Sequence, residues 1–124
     1  SSVILNYSST DRKMISITTT GDTVFIGADT ASSIMLVINE LISNSLEHGF
    51  HGKSSGNINI TISNEGVFAL FTITDNGNGF TRKESSDSLG LNIVKAVIKD
   101  KLHGKFNIET GESGTSIKFS IKIK

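Results

Sequence analysis

The sequence predicts an α+β domain: a two-layer α/β sandwich whose mixed, mainly antiparallel sheet carries its helices on one face. Three observations predict it. Segments of period-two alternation, rich in β-branched residues, flank two segments of helical period in the order β-β-α-β-β-α-β-β, with a polar loop before the second helix. The last strand alternates strictly, Ile117, Phe119, Ile121 and Ile123 facing one way and Lys118 and Lys122 the other. The 124 residues make one domain, long enough to bury roughly two-thirds of the unfolded chain's surface.

Residues 1–12 read as a linker or a short edge strand, and residues 13–124 as the domain proper. Residues 13–20 (KMISITTT) alternate Met14, Ser16 and Thr18 against Ile15, Ile17 and Thr19, a strand pattern. Gly21-Asp22 is a turn signal, and residues 24–26 (VFI) read as a second strand closing a hairpin. Asp29 and Thr30 are both suitable N-caps. From Ala31 the period changes: Ile34, Met35, Val37, Ile38, Leu41, Ile42 and Leu46 recur at helical steps. They predict an amphipathic helix about 18 residues long, ended by Gly49. Residues 51–57 (HGKSSGN) read as a loop. Residues 58–62 and 67–74 read as strands around the turn Asn64-Glu65-Gly66. Residues 80–88 (FTRKESSDS) are polar and aperiodic, which predicts a mobile loop. Residues 89–102 read as a second helix with Ile93, Val94, Val97, Ile98 and Leu102 as its stripe, closed by His103-Gly104. Residues 106–108 and 115–123 complete the sheet.

Composition excludes several functions. Twelve Lys and Arg balance twelve Asp and Glu, so no bulk charge points to nucleic acid or an acidic membrane. The seven lysines after residue 94 are dispersed and read as a solvated face. Without cysteine there is no disulfide frame, thiolate nucleophile or Cys-type zinc site. No apolar run approaches the ~20 residues of a membrane span, and no signal-peptide pattern opens the chain.

Four constellations could carry chemistry. Glu40, Asn44 and Glu47 stand at helical i, i+4 and i+7, within about 60° of one another, with His48 near the same stripe. Oxygen ligands of this kind suit Mg²⁺. The plain alternative is the solvent face of the helix. Asp75 ends an apolar strand and opens DNGNG (residues 75–79). Its carboxylate could accept from an exocyclic amine, with Gly77 and Gly79 letting backbone approach a flat ring. The alternative is an ordinary Asn-Gly turn. An EF-hand is a poor fit, since Ser86 stands at the twelfth position, and no Gly-Lys-Ser/Thr phosphate loop follows. Third, SLGLNIV (residues 88–94) runs a Ser- and Gly-rich loop into a helix start, a phosphate-binding geometry or a plain capped helix. Fourth, Glu112-Ser113-Gly114-Thr115 reads alone as a turn.

Taken in order, INELISNSLEH, DNGNGF, SLGLNIV and GTSIKF resemble the GHKL (Bergerat-fold) ATPase superfamily over about residues 13–124. INELISNSLEHGF and SLGLNIVKAVIKDKLHGKF look most like the catalytic ATP-binding domain of sensor histidine kinases of the second type. The resemblance implies a Bergerat fold and binding of ATP with Mg²⁺. It implies that Asn44 coordinates the Mg²⁺ on the phosphates and that Glu40 assists metal or nucleophile. Asp75 would accept the adenine amino hydrogen, and Gly77 and Gly79 would wall the adenine. Residues 80–88 would be the lid, with Arg82 or Lys83 as possible counter-charges. Gly90 and Leu91 would present backbone N–H groups to phosphate, and Thr115 would support Asp75 through a water.

The implied reaction gives the γ-phosphoryl to a His on a separate phosphoacceptor and dimerisation domain of the same protein, and then indirectly to a response regulator. The implied setting is cytoplasmic, without nucleic-acid or membrane contact, the isolated piece being a monomer. Glu47 departs from the Lys or Arg common in such kinases and adds negative charge near the phosphates. His48, His51 and His103 do not suit a phosphoacceptor, so this piece alone should bind ATP without autophosphorylating. The alternatives are an anti-sigma-factor serine kinase and a regulatory nucleotide-binding module without turnover.

Overall fold

The computed structural model describes residues 3–8, 14–46, 55–77, 89–111 and 113–123. The elements in chain order are β1 (Val3–Ser8), β2 (Met14–Gly21), α1 (Ala28–Asn44), β3 (Ser55–Glu65), β4 (Phe68–Asp75), α2 (Leu89–Ala96), β5 (Phe106–Gly111) and β6 (Gly114–Lys122). A π-helical turn, Val97–Lys101, continues α2. The six strands form one sheet in the order β1-β2-β3-β4-β6-β5. Every neighbouring pair is antiparallel except β2 and β3, which run parallel. Parallel neighbours need a crossover, and α1 supplies it. The mixed, mainly antiparallel sheet with helices on one face is the predicted α+β architecture.

Two details differ from expectation. Residues 24–26 are not a strand, and β2 has no hairpin partner there; β1 and β3 flank it instead. The in-out pattern that suggested a strand is nevertheless present. Val24 and Ile26 pack against the core while Phe25 is 91% exposed. The segment anchors the passage from β2 into α1 by side chains, without joining the sheet. The helix also begins earlier, at Ala28, with Gly27 as N-cap and no side-chain cap bond. Asp29 is therefore inside the first turn, where a carboxylate complements the positive end of the dipole.

The core lies between the two layers. Ile34, Val37 and Leu41 of α1, and Val94 and Ile98 from the α2 segment, meet Ile58, Ile60, Phe71, Ile73, Ile117 and Phe119 from the sheet. Phe71 and Phe119 are register partners on β4 and β6, and their rings stack with centroids 5.0 Å apart. Lys118 and Lys122 point to the open face, as the alternation predicted. After the π-turn, His103 takes a left-handed φ of 51°, and the chain turns onto the sheet through Gly104. A Cβ on Gly104 would lie 1.5 Å from the Ser120 carbonyl oxygen, so only glycine allows that approach. Among the described residues no helix is long and apolar enough to cross a membrane.

Candidate functional site

Helix α1 delivers the first part of the site. Its buried positions are Ile34, Val37, Leu41 and Asn44, a single stripe at helical spacing. Asn44 thus ends the buried stripe; it does not lie on the solvent face. Its side chain is 7% exposed, and Nδ2 has no hydrogen-bond partner among the described residues. An amide held dry with an unmet donor costs stability that an apolar side chain would not. Glu40, one turn earlier, is half-buried.

The second part sits at the end of β4. Asp75 is a hub for three donors. Oδ1 accepts the Gly77 N–H at 2.9 Å and the Thr115 N–H at 3.3 Å. Oδ2 accepts the Ser45 hydroxyl at 2.8 Å. The Gly77 bond is an Asx turn, the local device by which an aspartate folds the chain back on itself. Asn76 anchors the turn to β3: its Oδ1 accepts the Asn57 N–H at 2.8 Å, and its own N–H reaches the Asn57 carbonyl at 3.2 Å. Thr115 faces Asp75 in the β4–β6 register, and its hydroxyl pairs with that of Thr110 at 3.0 Å.

Gly114 brings β6 up to this hub. Its φ is +132°, and a Cβ there would lie 2.0 Å from the Asp75 carbonyl oxygen. Both facts require glycine. The buried polar side chains among the described residues are Asn44, Ser45 and Thr115. All three gather at this corner of an otherwise apolar core. Buried polar groups are expensive unless paired, so their concentration at one place makes this corner the candidate site.

Of the sequence-predicted residues, Gly77 and Thr115 bond Asp75 directly, and Asn44 adjoins the hub through its chain neighbour Ser45. Thr115 reaches Asp75 directly, by its backbone N–H. Gly90 and Leu91 lie in the first turn of α2, which packs beside α1. That turn carries the positive end of the helix dipole. Gly79, Glu47, His48, His51 and the predicted lid, residues 80–88, lie outside the described residues. Among the described residues no three His, Cys, Asp or Glu side chains cluster as a ready metal cage.

A concavity of about 350 Å³ adjoins the hub, lined among others by Thr74, Asp75, Thr110, Gly114, Thr115 and Ser116. Strand alternation puts the Thr74 and Ser116 side chains on the open face, opposite Asp75. The concavity therefore wraps the end of the sheet, and Asn44 and Ser45 do not line it. A second, mainly apolar cavity of about 370 Å³ lies at the other end of α1, between Val24, Ile26, Ile34 and Ile38. The carboxylate there, Asp22, is already engaged by the Asn64 N–H.

Sequence reasoning missed Ser45. The signal was available: at about 100° per residue, position 45 falls about 20° from Ile34, on the apolar stripe. A serine there calls for a buried partner. Asn57 and Thr110 carried no comparable signal.

The chain is similar to proteins of known family and structure. The family model described as histidine kinase-, DNA gyrase B-, and HSP90-like ATPase matches residues 29–124. The chain is 29% identical over 126 residues to the sensor histidine kinase PdtaS of Mycobacterium tuberculosis, covering 98% of this chain and 25% of that protein. It is 28% identical over 116 residues to blue-light-activated histidine kinase 2 of Erythrobacter litoralis, covering 90% of this chain and 33% of that protein. Among solved structures, the histidine kinase domain of the Erythrobacter litoralis blue-light activated histidine kinase superposes with a TM-score of 0.77 at 28% identity. That match covers 85% of this chain and 50% of that one. The chain thus spans a quarter to a third of the length of these two relatives.

Proposed function

Because the chain belongs to the family of histidine kinase-, DNA gyrase B- and HSP90-like ATPases, we propose that it is the ATP-binding catalytic domain of a sensor histidine kinase. The reading is supported by relatives named as sensor histidine kinases. The observation that carries it is the buried polar cluster of Asn44, Ser45 and Thr115 around Asp75.

In this reading Asp75 accepts the amino hydrogen of adenine. Its orientation is set before the base arrives, by the donors from Ser45, Gly77 and Thr115. Preset orientation removes an ordering cost from binding. Gly77, and Gly79 beyond the described residues, would let the backbone approach the ring. Asn44 offers a side-chain oxygen to Mg²⁺ and an unmet N–H to a phosphate oxygen. That donor set fits a cation that keeps most of its shell as phosphate oxygens and water. Bound Mg²⁺ would neutralise phosphate charge. Gly90 and Leu91 face the phosphates with the positive end of α2. Glu40, a turn before Asn44, assists the metal or orients the incoming nucleophile.

The γ-phosphoryl then passes to an imidazole nitrogen of a His on a separate domain of the same protein, and ADP leaves. Phosphoryl transfer asks mainly for positioning and charge neutralisation, which these residues provide. A response regulator would receive the phosphoryl group from that His, in the cytoplasm.

Calorimetric titration with Mg²⁺ and a non-hydrolysable ATP analogue tests the site. The expected result is binding by the native chain and strong loss in both Asn44→Ala and Asp75→Asn. Unchanged binding in both variants overturns the assignment. Transfer of label from ATP to an added His-bearing acceptor domain, reduced in Glu40→Ala, tests the kinase half.

A further inference from the structure

We propose that Ser45 is a positioning residue that enforces selection of 6-amino over 6-oxo purines. The proposal rests on the nucleotide reading above and deepens it. Ser45 is 1% exposed, and its hydroxyl donates to Oδ2 of Asp75 at 2.8 Å. Oδ1 already takes two N–H donors, from Gly77 and Thr115. An ionised carboxylate has about four lone-pair sites, and three are filled among the described residues. The remaining acceptor capacity is on Oδ2, the oxygen that Ser45 holds.

The consequence is directional. The carboxylate is pinned from the end of α1, the turn after β4 and the start of β6, so it cannot rotate without breaking a bond. What it offers a ligand is one acceptor. A 6-amino purine meets that acceptor with a donor, while a 6-oxo purine meets it with another acceptor. Of the three groups holding Asp75, only the Ser45 hydroxyl can rotate and donate elsewhere. Its bond to Oδ2 keeps that proton away from a 6-oxo oxygen. Ser45 therefore both aims the reading atom and withholds the donor that would accommodate the wrong base.

The test is titration of the whole chain with the Mg²⁺ complexes of ADP and IDP. The native chain prefers ADP. In Ser45→Ala the ADP affinity falls about tenfold while that for IDP changes little, so the ratio collapses by about tenfold. In an Asp75→Asn background the same substitution leaves the ratio within about twofold, because the partner is gone. Ser45→Cys, close in volume and a weaker donor, gives an intermediate ratio and decides the matter if the alanine variant does not fold. Equal weakening of both nucleotides in Ser45→Ala means packing alone and overturns the proposal, as does an unchanged ratio. A native chain that binds neither nucleotide overturns the nucleotide reading and this proposal with it. A native chain that prefers ADP, with Ser45→Ala unaltered, overturns this proposal only.

Discussion

The Ser45 hydroxyl and the Asp75 carboxylate, 30 residues apart in sequence, are joined by a 2.8 Å hydrogen bond at the edge of the core. The bond fastens the end of α1 to the end of β4. Because Asn44 precedes Ser45 in the chain, the same bond fixes the distance between the amide assigned to the metal and the carboxylate assigned to the base. In the proposed reading, a single contact would thereby set both ends of one ligand.

Asp75→Asn is expected to keep the fold and change what it binds. An amide can turn its oxygen to the Gly77 and Thr115 N–H groups and its NH₂ to Ser45, whose hydroxyl can rotate to accept. The network survives, but the acceptor shown to the base becomes a donor. MgADP affinity should drop about 10- to 100-fold by calorimetry, with MgIDP affected less. Tight ADP binding by a folded variant would contradict the role given to Asp75.

Gly114→Ala should act on stability and on the site together. The new Cβ meets the Asp75 carbonyl oxygen at 2.0 Å, on a backbone with φ of +132°. Relief requires the β5–β6 turn to move away from Asp75, which weakens the Thr115 N–H bond to its carboxylate. A loss of about 2–4 kcal/mol in urea denaturation is expected, together with weaker nucleotide binding. A change below about 0.5 kcal/mol would show that the turn is free to shift.

The element order was legible in the sequence because two periods, near 2 and near 3.6, alternate cleanly along the chain. Strand neighbours were not. Alternation says which face a residue takes, not which strand lies beside it, so the parallel β2–β3 pairing left no mark in residues 14–21. Residues 24–26 misled for the same reason: Val24 and Ile26 go inward around an exposed Phe25 without any strand beside them. At the site, Asn44 and Asp75 could be singled out by residue type and spacing. Ser45 was passed over as one more helix serine, although its place on the apolar stripe set it apart. Thr115 was expected to support Asp75 through a water; the direct bond from its backbone N–H to the carboxylate was not foreseen.

Phe119 and Phe25 should behave as opposites. Phe119 is 1% exposed and stacks on Phe71, while Phe25 is 91% exposed. Phe119→Ala leaves a cavity between β6 and the helices and should cost about 3–5 kcal/mol. Phe25→Ser should stay within about 0.5 kcal/mol of the native chain. Chemical denaturation of the two variants side by side checks the layer assignment. Similar losses in both would mean that the passage before α1 is more deeply packed than described.

Asn44→Leu should make the protein more stable and inactive at once. The side chain is 7% exposed at the end of the stripe Ile34, Val37 and Leu41, and its Nδ2 is unpartnered among the described residues. Leucine keeps the branching and side-chain heavy-atom count of asparagine and extends that stripe with an apolar group, removing a buried unmet donor. The expected gain is about 1–2 kcal/mol in the nucleotide-free protein, read from the denaturation midpoint. Nucleotide with Mg²⁺ should stabilise the native chain by mass action and leave the leucine variant unmoved, so the order of stability reverses at saturating ligand. A site whose polar residue served only the fold would behave otherwise: leucine would destabilise the free protein, and ligand would shift both chains alike. The reversal separates an amide kept for a ligand from one kept for packing.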